Sequence, residues 1–136
     1  MPNTFTGKGN LTDAPKLKAV PVGNGETRNV AEMRVFFDEW GHDDKGEIIQ
    51  TGGFFMGVSV WGAKAEQAQK LLRKGARVQV TGSLKQFTAT DKETGEESQA
   101  FSVAAEDITL ALTRVESITF AVKRTRETNE PDQQAA

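Results

Sequence analysis

The residues best placed to do chemistry in this chain are aromatic rings set among cations. Phe36 shares a strand face with Arg34, Phe55 with Trp61, and Phe87 with Lys85 and Arg77. In "GVSVW" (57–61), Val58 and Val60 alternate with Ser59, so Trp61 falls on the serine face rather than the valine face. Trp40 follows Phe36 just past the end of its strand and extends the same surface. An exposed ring costs solubility and adds little to a core, so several in one phase call for a partner. Flat rings flanked by Lys and Arg suit unpaired nucleic-acid bases: the rings stack on any base while the cations follow the phosphates. Reading a duplex would instead want a recognition helix, and the pattern shows none. The same rings would also serve a subunit interface or a site beneath a loop.

Other chemistries lack their residues. "GKGN" (7–10) has neither the spacing nor the Lys-Ser/Thr step of a phosphate loop. Asp43, Asp44 and Glu47 do not follow calcium-loop spacing and read as an acidic turn, which also holds the single histidine, His42. There is no cysteine, hence no disulfide, thiolate or cysteine zinc site. No Ser-His-Asp set comes with a supporting motif. We expect no catalytic residue, metal, cofactor or small-molecule substrate.

Composition fits one domain able to bury its own core: 136 residues, 37% hydrophobic and 26% charged. No apolar run approaches the about 18 residues that cross a membrane, and "MPNTFTGKGN" lacks a signal-peptide pattern. A cytoplasmic, nucleoid-associated protein is expected. The net charge of −2 argues against a generic polyanion binder, but the average conceals a segregation. Lys64, Lys70, Arg73, Lys74, Arg77 and Lys85 face only one acid, Glu66, while acids gather in 38–47, 91–97 and the tail.

The elements that must carry these residues are mostly strands. "NTFTGKGNL" (3–11) has glycines where a small barrel bends. Residues 12–27 read as turn, extended segment and turn, with Asn24-Gly25 as a hairpin signal. "NVAEMRVFF" (29–37) puts Ala31, Met33, Val35 and Phe37 inward; "GGFFMGVSVW" (52–61) does so with Phe54, Met56, Val58 and Val60. "AKAEQAQKLLRK" (63–74) predicts a short helix with Ala65, Ala68, Leu71 and Leu72 as its apolar stripe and Gly75 as its stop. Strands over 76–87 and 99–112 follow, and the acidic stretches 38–47 and 91–97 read as hairpin tips. The order predicts an all-β, five-stranded OB-fold Greek-key barrel with one short helix between strands 3 and 4. "TRVESITFAVKR" (113–124) alternates with Ile118, Phe120 and Val122 in phase and predicts an extra C-terminal strand.

The chain resembles the bacterial single-stranded DNA-binding proteins, through "GNLTDAPKLK", "NVAEMRVFF", "VSVWGAKAE", "LLRKGARVQVTGSLK", "TDKETG" and "AAEDI", in the family's order over most of residues 4–112. Leu-Arg-Lys-Gly followed by Val-x-Val-x-Gly-x-Leu is the most specific piece. The N-terminal stretch and the long end resemble actinobacterial or mobile-element members. The resemblance implies stacking aromatics at Trp40, Phe55 and Trp61, basic contacts at Arg73 and Lys74, and a homotetramer. It implies a role in replication, recombination, repair or plasmid and conjugative transfer. The chain departs from the pattern at Ala89, where the family often has an aromatic and Phe87 stands in, and at Ala63, where Lys64 replaces a basic residue one place earlier. It also ends "KRTRETNEPDQQAA", without the family's acidic tip and terminal phenylalanine.

The expected organisation is a DNA-binding domain over 1–112, a strand extension over 113–126 and a disordered tail over 127–136. The nucleic-acid site is expected to comprise Trp40, Phe55, Trp61, Phe87, Phe36, Arg34, Lys64, Arg73, Lys74, Arg77 and Lys85. Two other readings stay open: an OB-fold accessory factor that binds protein through its aromatic face, and a single-stranded RNA binder, since stacking does not read the sugar.

Overall fold

The computed structural model describes residues 3–122. Six strands and one α-helix follow in order: β1 (Asn3–Leu11), β2 (Lys16–Gly23), β3 (Glu26–His42), β4 (Ile48–Trp61), α1 (Ala63–Leu71), β5 (Arg77–Thr90) and β6 (Glu97–Leu110). A 3₁₀ turn spans Leu112–Arg114. The expected OB-fold barrel is present, and its ring closes in two places. β1 pairs antiparallel with β5 along most of its length and with β3 at Gly9–Leu11. On the other side, β4 and β6 run parallel for three residue pairs, Gly57–Ser59 against Ser102–Ala104.

The segment expected only to be extended, 16–23, is a full strand. It pairs with β3 through a turn in which Asn24 (φ 52°) and Gly25 (φ 73°) both take the left-handed conformation that suits a two-residue hairpin. Pro21 fits there because β2 is an edge strand, where a missing N–H costs no ladder bond. This strand shifts the numbering, so the helix lies between β4 and β5 rather than between strands 3 and 4.

Residue alternation determines the core. Ala31, Met33, Val35 and Phe37 from β3, Met56, Val58 and Val60 from β4, and Val78 and Val80 from β5 are all buried, with Leu11, Val103, Ala65 and Ala68 completing the cluster. Two glycines let the ladder close. A side chain at Gly9 would run into the backbone carbonyl of Phe36, and one at Gly82 into that of Ala104. Gly82 also adjoins a bulge, where Thr81 faces Asp107 and Gly82 faces Ala105.

Three expectations change. α1 ends at Leu71, with Leu72 extended; Gly75 lies further along the loop at φ 90°, its N–H donating to the Leu11 carbonyl. Leu71, expected in the buried stripe, is therefore exposed at the helix end, and only Ala65 and Ala68 of the helix are buried. Phe54 shares the inward face but sits at the open end of the barrel, where it stays exposed. Finally, the extra C-terminal strand is not formed in the described part of 113–126: residues 115–122 have no strand assignment, and Ile118, Phe120 and Val122 are exposed. Alternation there meets no partner edge within the described chain, and an unpaired extended segment gains no ladder bonds. Residues 123–126 of that expectation, and the tail 127–136, lie outside the described residues.

Candidate nucleic-acid interface

Register decides which rings share a surface. Directly opposite pairs in the β3–β4 ladder are Val30 with Trp61, Glu32 with Ser59, Arg34 with Gly57 and Phe36 with Phe55. The bulge at Glu39/Trp40 leaves Thr51 of β4 unmatched, so Trp40 keeps the phase of Arg34 and Phe36 and faces Gln50. One face of β3 and β4 thus presents Trp61, Arg34, Phe36, Phe55 and Trp40 in sequence. From Val30, opposite Trp61, to Trp40 the strand spans roughly 34 Å at about 3.4 Å per residue.

At the middle of this face is an open groove of about 710 Å³, lined by Arg34, Phe54, Phe55, Phe87, Phe101 and Ser102 among others. The Arg34 guanidinium lies over the Phe55 ring, 4.9 Å from its centroid. It reaches there across Gly57, which offers no side chain in the way. Phe36 packs against Phe55 at 4.8 Å and 54°, bracing the ring. At the barrel end of the groove Phe5 meets Phe37 and Phe54 edge to face, at 5.0 and 6.4 Å, while Phe37 and Phe54 lie tilted at 31°. Phe55, Phe87 and Phe101 are each about half exposed. Lys85 is exposed on β5 opposite Ser102, one of the lining residues, and so adjoins the groove.

Trp40 is 55% exposed, yet its indole is held: Nε1 donates to Asp38 Oδ2 at 2.9 Å. The same carboxylate accepts two bonds from Arg77, Nη1 to Oδ2 at 2.9 Å and Nη2 to Oδ1 at 3.2 Å. Arg77 Nη1 also donates to Asn10 Oδ1 at 3.1 Å, so β1, β3 and β5 meet in one network. Burial alone would raise the Asp38 pKa, but the hydrogen bonds from Arg77 and Trp40, with the charge of Arg77, together bring it below its ordinary value.

The expected basic stripe is divided. Arg77 is bound to Asp38, with side-chain exposures of 22% and 7%, and is not a free cation for a phosphate. Lys64 donates to the Glu106 carbonyl and lines a mostly apolar cavity of about 270 Å³ between α1 and β6. Arg73 and Lys74 line a separate groove of about 680 Å³ at the α1–β5 connection. None of these three cations lines the aromatic groove. Alternation alone could not show this, because it reports faces of strands and not where a loop between helix and strand comes to rest.

Sequence reasoning left the lining aromatics Phe54 and Phe101 out of the site: Phe54 read as inward, and Phe101, given no face there, shares the phase of the buried Val103. The available signal was strand length: each lies beyond the stretch of its strand that the barrel buries. Trp61 sits at the far end of the face, 41% exposed and opposite Val30, which is 1% exposed. Its ring faces outward but also stands beside a buried neighbour. Among the described residues no group of three or more His, Asp or Glu could hold a metal ion, and no helix is long and apolar enough to cross a membrane.

This geometry coincides with an independent match. Residues 2–111 match the model of the single-strand binding protein family. The chain belongs to that family. It is 34% identical over 107 residues to a single-stranded DNA-binding protein of Corynebacterium glutamicum, covering 77% of this chain and 45% of that one. A protein of the same description from Mycolicibacterium smegmatis is 33% identical over 106 residues, covering 77% and 61%. The chain thus spans about half of the first of these relatives and three-fifths of the second. In fold it is similar to the small single-stranded DNA-binding protein of Streptomyces coelicolor, with a TM-score of 0.69 at 22% identity, covering 85% of this chain and 99% of that one.

Proposed function

We propose that this chain binds and protects single-stranded DNA with little sequence preference, as a shield and scaffold without turnover. The observation that carries this is the groove in which Arg34, Phe55, Phe87 and Phe101 converge, on a sheet face continued by Trp61 at one end and Trp40 at the other. Half-exposed rings, Phe55 braced by Phe36, leave faces for bases, and a run of this length suits a strand of several nucleotides, within the ~4–16 that one OB-fold engages. Family membership and the names of its relatives point the same way.

Phe36, Lys64, Arg73, Lys74 and Lys85 support the platform or follow the phosphates from its margins. Residues 1–112 form the binding domain and 113–126 an extension beyond it. By family likeness the protein works as a homo-oligomer, a tetramer, in the cytoplasm with the nucleoid, in replication, recombination, repair or plasmid and conjugative transfer.

The test is titration of labelled dT and rU oligomers and duplex DNA of equal length. Log affinity for oligo-dT should fall linearly with log salt, with a slope of ~0.7 per phosphate contacted. Duplex should bind far more weakly. Equal affinity for duplex and single strand sinks the stacking model, and a preference for rU makes RNA the ligand.

A further inference from the structure

The Trp40 end of the platform contains an anion where a nucleic-acid site would be expected to avoid one. Asp38 lies in phase with Arg34, Phe36 and Trp40 on the outward face of β3. It makes three charge-assisted or indole hydrogen bonds, all to groups of that face: one from Trp40 Nε1 and two from Arg77. The indole is gripped at its edge, through Nε1, while the residue stays 55% exposed. Arg77, meanwhile, is held in a fork geometry by the carboxylate and steadied by Asn10.

We propose that Asp38 is a positioning residue for single-stranded DNA: it fixes the Trp40 indole for stacking and keeps Arg77 from the phosphates, leaving this end of the site neutral. The inference rests on the reading of the aromatic face as the binding site. Binding at the Trp40 end then comes from ring contact, while ionic contacts come from Arg34, Lys85 and the flanking lysines and arginines. An unheld indole on an exposed strand would reorient on the picosecond-to-nanosecond scale, which fluorescence anisotropy detects.

The experiment uses the full chain carrying Trp61→Phe, so that Trp40 is the only emitter, and all comparisons stay within that background. Asp38→Asn retains an oxygen for the indole but removes the charge. It should leave free-protein anisotropy unchanged and steepen the salt slope for oligo-dT by ~0.7, as one released cation finds a phosphate. The double variant Asp38→Ala with Arg77→Met removes the acceptor together with the cation it would otherwise strand, which protects folding. Its Trp40 anisotropy should fall, and its affinity should drop by no more than the about 5- to 150-fold expected for losing the ring. Arg77→Met alone keeps the acceptor and should keep the anisotropy. Anisotropy unchanged in the double variant overturns the positioning role. A slope that does not steepen in Asp38→Asn overturns the withholding of Arg77. Should Trp40→Ala in the native chain bind oligo-dT as tightly as wild type, Trp40 is no part of the site, and the underlying reading fails there rather than the contact.

Discussion

Exposure separates the neighbours Val60 and Trp61, and their variants should fail differently. Val60 is 2% exposed within the core, so Val60→Ala should lower stability by roughly 1–3 kcal/mol through lost contacts and a cavity, seen as a lower melting temperature with binding intact below it. Trp61→Ala should weaken oligo-dT binding by about 5- to 150-fold, the worth of one stacked base. It should also cost some stability, less than Val60→Ala, because the ring stands beside the buried Val30. Measuring melting and affinity on both variants checks the contrast; a Trp61→Ala protein that melts far lower and binds normally would make the ring structural. Arg34 permits a finer test. Lysine retains its charge but not the flat guanidinium over Phe55. Arg34→Lys should therefore bind about 2- to 5-fold more weakly, the cation–π contribution at an exposed site, with an unchanged salt slope.

Individual elements depend on close approach at a few points. β1 closes the ring by pairing with β3 and β5 at once, and at Gly9 a side chain would run into the β3 backbone. Gly9→Ala should force that seam apart and cost about 1–3 kcal/mol, the usual range for overpacking. Its urea midpoint should fall with little change in slope, whereas Gly25→Ala, in the exposed β2–β3 turn, should cost only the strain of its positive φ. A Gly9→Ala midpoint no lower than that of Gly25→Ala would mean that the β1–β3 seam is loose. The helix needs less from its sequence. With two buried alanines it plugs one end of the barrel, and Leu71 is free because the chain leaves the helix there.

Across the whole molecule, the Asp38–Arg77 pair connects three strands and should be visible in acid. The folded-state pKa of Asp38 lies below the ordinary 3.8, so its contribution is present above that value and is lost as pH falls through the lower folded value. Wild type should exceed Asp38→Asn in stability at neutral pH, and the gap should narrow below about pH 4. Denaturant melts of both proteins from pH 7 down to acid check this; a gap independent of pH would mean that charge is not what the pair contributes.

Alternation in the sequence was enough to assign the barrel's inward residues, since Met33, Val35, Met56, Val58, Val78 and Val80 lie where a period of two places them. It was also enough to turn Trp61, Phe55 and Phe36 outward, because the side-chain period of a strand is local. Location along and across strands is not local. Phe54 and Phe101 carry a core phase but sit past the ends of the buried barrel, and only the tertiary structure places them in the groove. The same holds for Arg77: its charge reads as available in sequence, and a carboxylate 39 residues away, on another strand, takes it. β2 shows the rule from the other side, since its turn was legible in Asn24-Gly25 while its strand depended on the edge that β3 offered. Short-range pattern determines which face a residue takes; long-range pairing decides what that face meets.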